Sequence, residues 1–182
     1  LSVNEKGHLT LGGVDVVDMA EKYGTPLYLY DEARIRNRMS TYLAAARSVL
    51  GEKCKVLYAS KAASFRRLYE IMKEEGMGID VVSSGEIFTA RAAGFPLEKA
   101  YFHSNNKTDE DIAYAMKYGV GYFVVDNAEE LYAIERIAGE KNLRQRILLP
   151  MKLHSWFCRF WATEIRSCSE VHLPLWLTVL LS

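Results

Sequence analysis

Lys61 is the side chain in this 182-residue sequence whose setting most suggests chemistry. The stretch KVLYASKAASF, residues 55–65, runs through Val56, Leu57, Tyr58 and Ala59 and then delivers Lys61, followed by Ala62 and Ala63. A lysine aimed from the end of a buried strand into a partly dry pocket has a depressed pKa and is a usable amine nucleophile. That is the condition for a Schiff base with a carbonyl compound. The small residues Ala59, Ala62 and Ala63 let a flat ring approach. The competing reading is a snorkelling lysine whose ammonium stays in water. Other chemistries have less support. Cys54, Cys158 and Cys168 are odd in number and widely spaced, so they form neither a disulfide framework nor a metal pattern, and a reducing cytosol is expected. No glycine-rich nucleotide-binding turn occurs.

The elements that must carry Lys61 follow a regular plan. Short apolar runs, KVLYAS (55–60), GIDVVS (78–83), AYFHS (100–104), GYFVVD (121–126) and RILL (146–149), are rich in β-branched and aromatic residues. Their hydrophobicity is nearly continuous, which predicts parallel strands covered on both faces. Between them lie segments with helix ends. Ser83 to Glu86 reads as a capping box, and Thr108–Asp111 and Asn127–Glu130 repeat the logic. Gly94, Gly119 and Gly139 are placed to end helices in the left-handed conformation. A further helix is predicted over Glu32–Leu50, after the extended PLYLY at 26–30. The strand centres recur about every 22 residues. Both a β/α barrel and an open doubly wound sheet fit; a barrel places successive strands side by side, and its catalytic residues sit where Lys61 does, at the C-terminal strand ends.

Residues 150–182 are different. They hold Trp156, Trp161 and Trp176, two of the three cysteines, and no Gly, Asp, Asn or Tyr. About 66 residues would be needed for three more units, and only 33 remain, so an eight-stranded barrel is not expected to close within this chain. Either a short element, such as a helix through Trp156–Ile165, covers a sheet edge, or the segment is out of frame or truncated. The abrupt change at Leu149–Pro150 favours the second. The resulting division is an N-terminal segment 1–31, a partial (β/α) barrel 32–149 and a divergent tail 150–182. An open sheet edge predicts aggregation or a homodimer, and Trp156, Phe157, Phe160 and Trp161 offer an apolar patch to cover it.

Bulk properties narrow the field. Lys plus Arg and Asp plus Glu number 23 each, so neither a nucleic-acid surface nor an acidic partner is indicated. The opening LSVNEKGHLT is polar, so no signal peptide is expected, and the lack of an initiator Met suggests a start upstream. The most apolar run, Leu173–Leu181, holds Pro174 and falls short of the about 20 residues of a membrane span.

YASKA (58–62), DVVSSGEI (80–87), FHSNNKT (102–108) and GYFVVDNAEEL (121–131), in this order, resemble the bacterial diaminopimelate decarboxylases. EKYGTPLYLYDE (21–32) is similar to that family's entry into its alanine-racemase-like barrel, and the match covers about residues 1–149. Ornithine and arginine decarboxylases share the lysine and the aspartate–serine–glycine–glutamate region. Ser104 departs from the glycine usual in the family's HGNNK. The resemblance implies pyridoxal 5′-phosphate as cofactor, an amino-acid substrate and a cytoplasmic role in lysine biosynthesis. It implies that Lys61 bonds the cofactor, with Asp80 beside the ring and His103 facing it. Read as residues alone, Asp80 is equally a strand-start acid and His103 a strand-end hydrogen-bonding group. Asn105, Asn106 and Lys107 either position their loop or cap the next helix, and Glu86 reads as a cap.

The family also carries an arginine after the fifth strand, a ring-stacking histidine, a glycine-rich phosphate loop, a glutamate for the ring nitrogen and a C-terminal β domain. None is recognisable in 150–182, and Cys158 and Cys168 do not match the family's catalytic cysteine. The expectation is therefore weak cofactor binding and no decarboxylase turnover by this chain alone. The alternative is a non-catalytic cofactor-binding protein, a remnant or an oligomerising partner of the same fold.

Overall fold

The computed structural model describes residues 1–149 and, for backbone only, 171–172 and 178–179. Two compact units result, Leu1–Glu52 and Lys53–Ser182.

The first unit opens with a small antiparallel sheet in the order β1 (Ser2–Val3), β2 (Leu9–Leu11), β3 (Val14–Asp15). Asp15 ends β3 and caps helix α1 (Val16–Tyr23), accepting from the Val17 and Asp18 amides. It also accepts from Asn4 Nδ2 at 2.7 Å and meets His8 Nδ1 at 3.0 Å. His8, Asp15 and Asp18 could gather three metal-ligand atoms within 4.8 Å, but these contacts already engage Asp15. Helix α2 spans Glu32–Leu50, the expected bounds, capped by Asp31 through the Arg34 amide.

The second unit is the β/α repeat. Its strands are β4 (Leu57–Ala59), β5 (Gly78–Val81), β6 (Ala100–Phe102), β7 (Tyr122–Val124) and β8 (Arg146–Leu148), and its helices are α3 (Arg66–Glu74), α4 (Ser84–Ala92), α5 (Asp109–Lys117) and α6 (Ala128–Glu140). All strand pairs are parallel and the order β4-β5-β6-β7-β8 follows the sequence. Sequential neighbours are the barrel-type arrangement, so the open doubly wound alternative falls. The divergent tail adds two-residue parallel strands at either edge, β9 (Val171–His172) on β8 and β10 (Thr178–Val179) on β4. Thus the tail contributes to this sheet, and both edges of the five strands are paired over these short lengths. The expected helix through Trp156–Ile165, the aromatic patch and Cys158 and Cys168 lie outside the described residues.

Register explains how a continuous apolar strand separates two faces. Asp80, Tyr101, Tyr122 and Arg146 lie in one row, and Tyr101 and Tyr122 stack with centroids 4.5 Å apart. The adjacent row, Val81, Phe102, Phe123 and Ile147, points the other way and is wholly buried, with Phe102 and Phe123 edge-to-face at 5.6 Å. The helices bury matching stripes, such as Leu68, Ile71 and Met72 on α3 and Leu131, Ile134 and Ala138 on α6.

Of the three expected capping boxes one is reciprocal, while Glu86 and Glu130 accept from the Val82 and Asp126 amides, one residue before the caps Ser83 and Asn127. Thr108 and Asp111 form a reciprocal capping box, and Ser83 and Asn127 cap α4 and α6. One helix end differs. Gly94 and Gly119 take positive φ as expected, but Gly139 lies within α6, and Asn142 supplies the left-handed residue instead. Asn suits that role because its short polar side chain tolerates the conformation.

Gly121 is required for space. A Cβ there would collide with the backbone carbonyl oxygen of Glu98, whose carbon would lie 2.7 Å away. Gly121→Ala is therefore expected to destabilise the chain by about 3 kcal/mol, read as a lower urea midpoint at unchanged m-value.

Candidate functional site

Four successive strands each present an ionisable side chain at or just beyond their C-terminal ends. Lys61 follows β4 in a single 3-10 turn, Ser60–Ala62; Asp80 lies in β5; His103 follows β6; and Asp126 follows β7. Period-two alternation accounts for the gathering. His103 is two residues beyond Tyr101, and Asp126 two beyond Val124 and four beyond Tyr122, so both continue the face that carries Asp80.

His103 stands between two carboxylates. Its Nδ1 is 4.0 Å from Asp80 Oδ2 and its Nε2 is 3.5 Å from Asp126 Oδ1. The remaining oxygens, Asp80 Oδ1 and Asp126 Oδ2, are buried and have no hydrogen-bond partner among the described residues. Buried carboxylate oxygens are normally paired, so two orphans around one imidazole mark a place for a polar ligand.

Asp80 is only 5 % exposed. Burial pushes its carboxyl up to about 6, against the opposing charges of His103, Lys61 and Lys107 and with a small added push from Glu86. Its native value lies above the unfolded one, so the folded chain binds the extra proton between about pH 4 and pH 6. Stability therefore falls as pH rises through that window. Asp80→Asn is expected to raise stability at pH 7 by on the order of 2 kcal/mol, with the gain vanishing at pH 3.5. Denaturant midpoints at the two pH values test this.

Lys61 is exposed among the described residues, whereas the sequence suggested a partly dry pocket. It lies within a 3-10 turn instead of extending the strand, which carries it beyond the buried row. Its charge nonetheless acts on both Asp80 and Glu86. Lys61 is thus accessible and electrostatically linked to Asp80 of the neighbouring strand and to Glu86 of α4.

Glu86 serves α4. Its Oε2 accepts from the Val82 amide at 2.9 Å; burial raises its pKa, opposed by that hydrogen bond and by Lys61. Glu130 repeats the arrangement on α6, accepting from the Asp126 amide at 3.1 Å. Asn105 and Asn106 are exposed. The Lys107 side chain is wholly buried, pairs with Glu130 Oε1 at 2.6 Å and donates to the carbonyls of Ser104 and Val124 at 2.9 and 2.7 Å. It positions its loop, one of the two expectations for it. Asp126 was not singled out by sequence reasoning, and Glu130 was read only as the acidic end of a capping box. The available signal was parity: Asp126 sits beyond β7 on the face that His103 continues beyond β6.

An accessible amine, a carboxyl titrating near neutrality and an imidazole form a donor set that fits a flat aldehyde-bearing cofactor with polar ring substituents. The orphaned Asp80 oxygen is the specific observation in favour. Lys61 would bond the aldehyde carbon, with Asp80 and His103 meeting the ring.

Residues 32–166 match the family described as pyridoxal-dependent decarboxylase, pyridoxal binding domain. Diaminopimelate decarboxylase of Bacillus methanolicus is 49% identical over 147 residues, 81% of this chain and 34% of the relative. That of Bacillus subtilis is 47% identical over 146 residues, 80% of this chain and 33% of the relative. A crystal structure of diaminopimelate decarboxylase from M. jannaschii in co-complex with L-lysine superposes with a TM-score of 0.71 at 27% identity, covering 88% of this chain and 39% of that one. The chain thus spans about a third of the length of the curated relatives it matches. No helix among the described residues is long and apolar enough to cross a membrane.

Proposed function

This chain belongs to the pyridoxal-dependent decarboxylases, within their pyridoxal-binding domain, and on that premise we propose that it is the cofactor-holding portion of an enzyme that decarboxylates meso-2,6-diaminopimelate to L-lysine. The observation that carries the reading is the gathering of Lys61, Asp80 and His103 at the C-terminal ends of adjacent parallel strands. The Bacillus relatives support the substrate, and the L-lysine-bound neighbour supports an amino-acid site.

When bound, pyridoxal phosphate supplies the electron sink for the charge left as carbon dioxide departs. The chain's residues perform the rest. Lys61 offers a primary amine on an exposed turn, where an aldehyde can reach it. Asp80 holds a carboxyl poised near 6, able to accept or release a proton near neutrality. His103 presents a ring nitrogen toward Asp80. We further propose that the 182 residues alone bind the cofactor without turnover, since they span about a third of the length of the relatives that are named as decarboxylases.

Titration of the purified chain with pyridoxal phosphate, followed by a carbon dioxide assay with meso-diaminopimelate, tests both parts. Saturable binding with no gas release is expected. Absence of saturable binding overturns the cofactor assignment, and gas release overturns the lack of turnover.

A further inference from the structure

We propose that Asp126 is a positioning residue that fixes the proton and orientation of the His103 imidazole, and that the buried Lys107–Glu130 ion pair holds Asp126 in place. Three observations converge. First, Asp126 Oδ1 makes the nearer of the two carboxylate approaches to His103, 3.5 Å at Nε2 against 4.0 Å for Asp80 at Nδ1. Second, Asp126 Oδ2 is buried and has no hydrogen-bond partner among the described residues, although a quarter of the side chain stays exposed. Third, a single ammonium ties together the two loops that carry the pair. Lys107 Nζ donates to the carbonyl of Ser104, directly after His103, and to that of Val124, two residues before Asp126. Its carboxylate partner Glu130 accepts the Asp126 backbone N–H through the other oxygen.

The chemical consequence follows from imidazole. A neutral ring carries one N–H, and the group facing each nitrogen decides which nitrogen keeps it. Asp126, the closer acceptor, selects the Nε2–H form. Nδ1 is then the acceptor nitrogen, on the side where Asp80 Oδ2 lies 4.0 Å away. Asp126 therefore sets which face of His103 accepts. Its value for cofactor binding rests on the function proposed above; the tautomer does not.

The test is nitrogen-15 NMR of the labelled 182-residue chain at pH 8, with His103 assigned by its loss in His103→Gln. The Nε2–H form is expected to dominate in the wild type. Asp126→Ala, which keeps the backbone bond to Glu130, lowers the Nε2–H to Nδ1–H ratio about fivefold, the loss expected for one long ion-pair contact of 3.5 Å worth about as much as a neutral hydrogen bond. Asp126→Glu restores most of it, which a general loss of structure would not allow. Glu130→Gln, which preserves shape and removes the charge that holds Lys107, moves the ratio in the same direction. An unchanged ratio in Asp126→Ala overturns the proposal, and an unchanged ratio in Glu130→Gln overturns the part assigned to the ion pair. Pyridoxal phosphate titration separates this from the underlying reading. Asp126→Ala is expected to weaken binding about fivefold while the covalent link to Lys61 still forms at saturation. If the wild type forms no such link, the function assignment fails, and the tautomer ratio still decides the role of Asp126.

Discussion

Lys61→Ala is expected to abolish covalent attachment of pyridoxal phosphate while leaving the fold intact. Lys61 is exposed on a 3-10 turn and donates no hydrogen bond among the described residues, so its removal should change stability by no more than about 0.5 kcal/mol. Loss of the link would then report loss of the amine. Lys61→Arg is expected to fail equally, because a guanidinium stays protonated and is a poor nucleophile, although it restores the positive charge beside Asp80 and Glu86. The pair of variants thus separates nucleophilicity from electrostatics. An absorbance titration reads both: the saturable signal should fall to the background of surface lysines in each. Attachment surviving in Lys61→Ala at wild-type stoichiometry would remove Lys61 from the site.

Lys107→Met is expected to give the largest loss of stability. Lys107 has no exposed side-chain surface and Glu130 retains 6 %. Methionine fills the space but leaves the Glu130 carboxylate buried without its cation and strips donors from the Ser104 and Val124 carbonyls. Breaking a buried pair on one side costs about 3–5 kcal/mol, a large part of the 5–15 kcal/mol that holds a typical domain together. The double variant Lys107→Met with Glu130→Leu should recover much of that loss, because it removes the uncompensated charge along with its partner. Urea denaturation of the wild type, the two single variants and the double variant forms the cycle. If the double variant is as unstable as the sum of its singles, the pair is not coupled and the clamp between the two loops does not exist.

Much of the fold was legible because strand and helix signals agreed. The five apolar runs became five parallel strands, and the Ser83, Thr108 and Asn127 caps all start helices. Gly139 misled because glycine near a helix end resembles a stop, yet nothing within 4 Å of its position excludes a side chain and α6 simply runs through it. The edge strands β9 and β10 were not legible, since two residues carry no periodicity.

The site was legible as residue types and less so as environment. Lys61 could be placed after a strand, but the 3-10 turn that exposes it left no mark in the sequence. Lys107 sits in the polar run Asn105-Asn106-Lys107-Thr108, which reads as solvated. Its burial depends on Glu130, 23 residues later, a separation beyond any local pattern. Asp126 precedes the helix cap Asn127 and so resembles a strand-end acid; its carboxylate acquires meaning only when the adjacent strand brings His103 to 3.5 Å. Local signals fix elements, whereas the pairing of side chains across strands is settled by register.

Borohydride reduction of the purified chain saturated with pyridoxal phosphate, followed by mass mapping of every lysine-containing peptide, tests the central claim most directly. A single stoichiometric adduct on Lys61 is expected, with the other lysines at background. Label spread over many lysines, or concentrated on one other than Lys61, would contradict it.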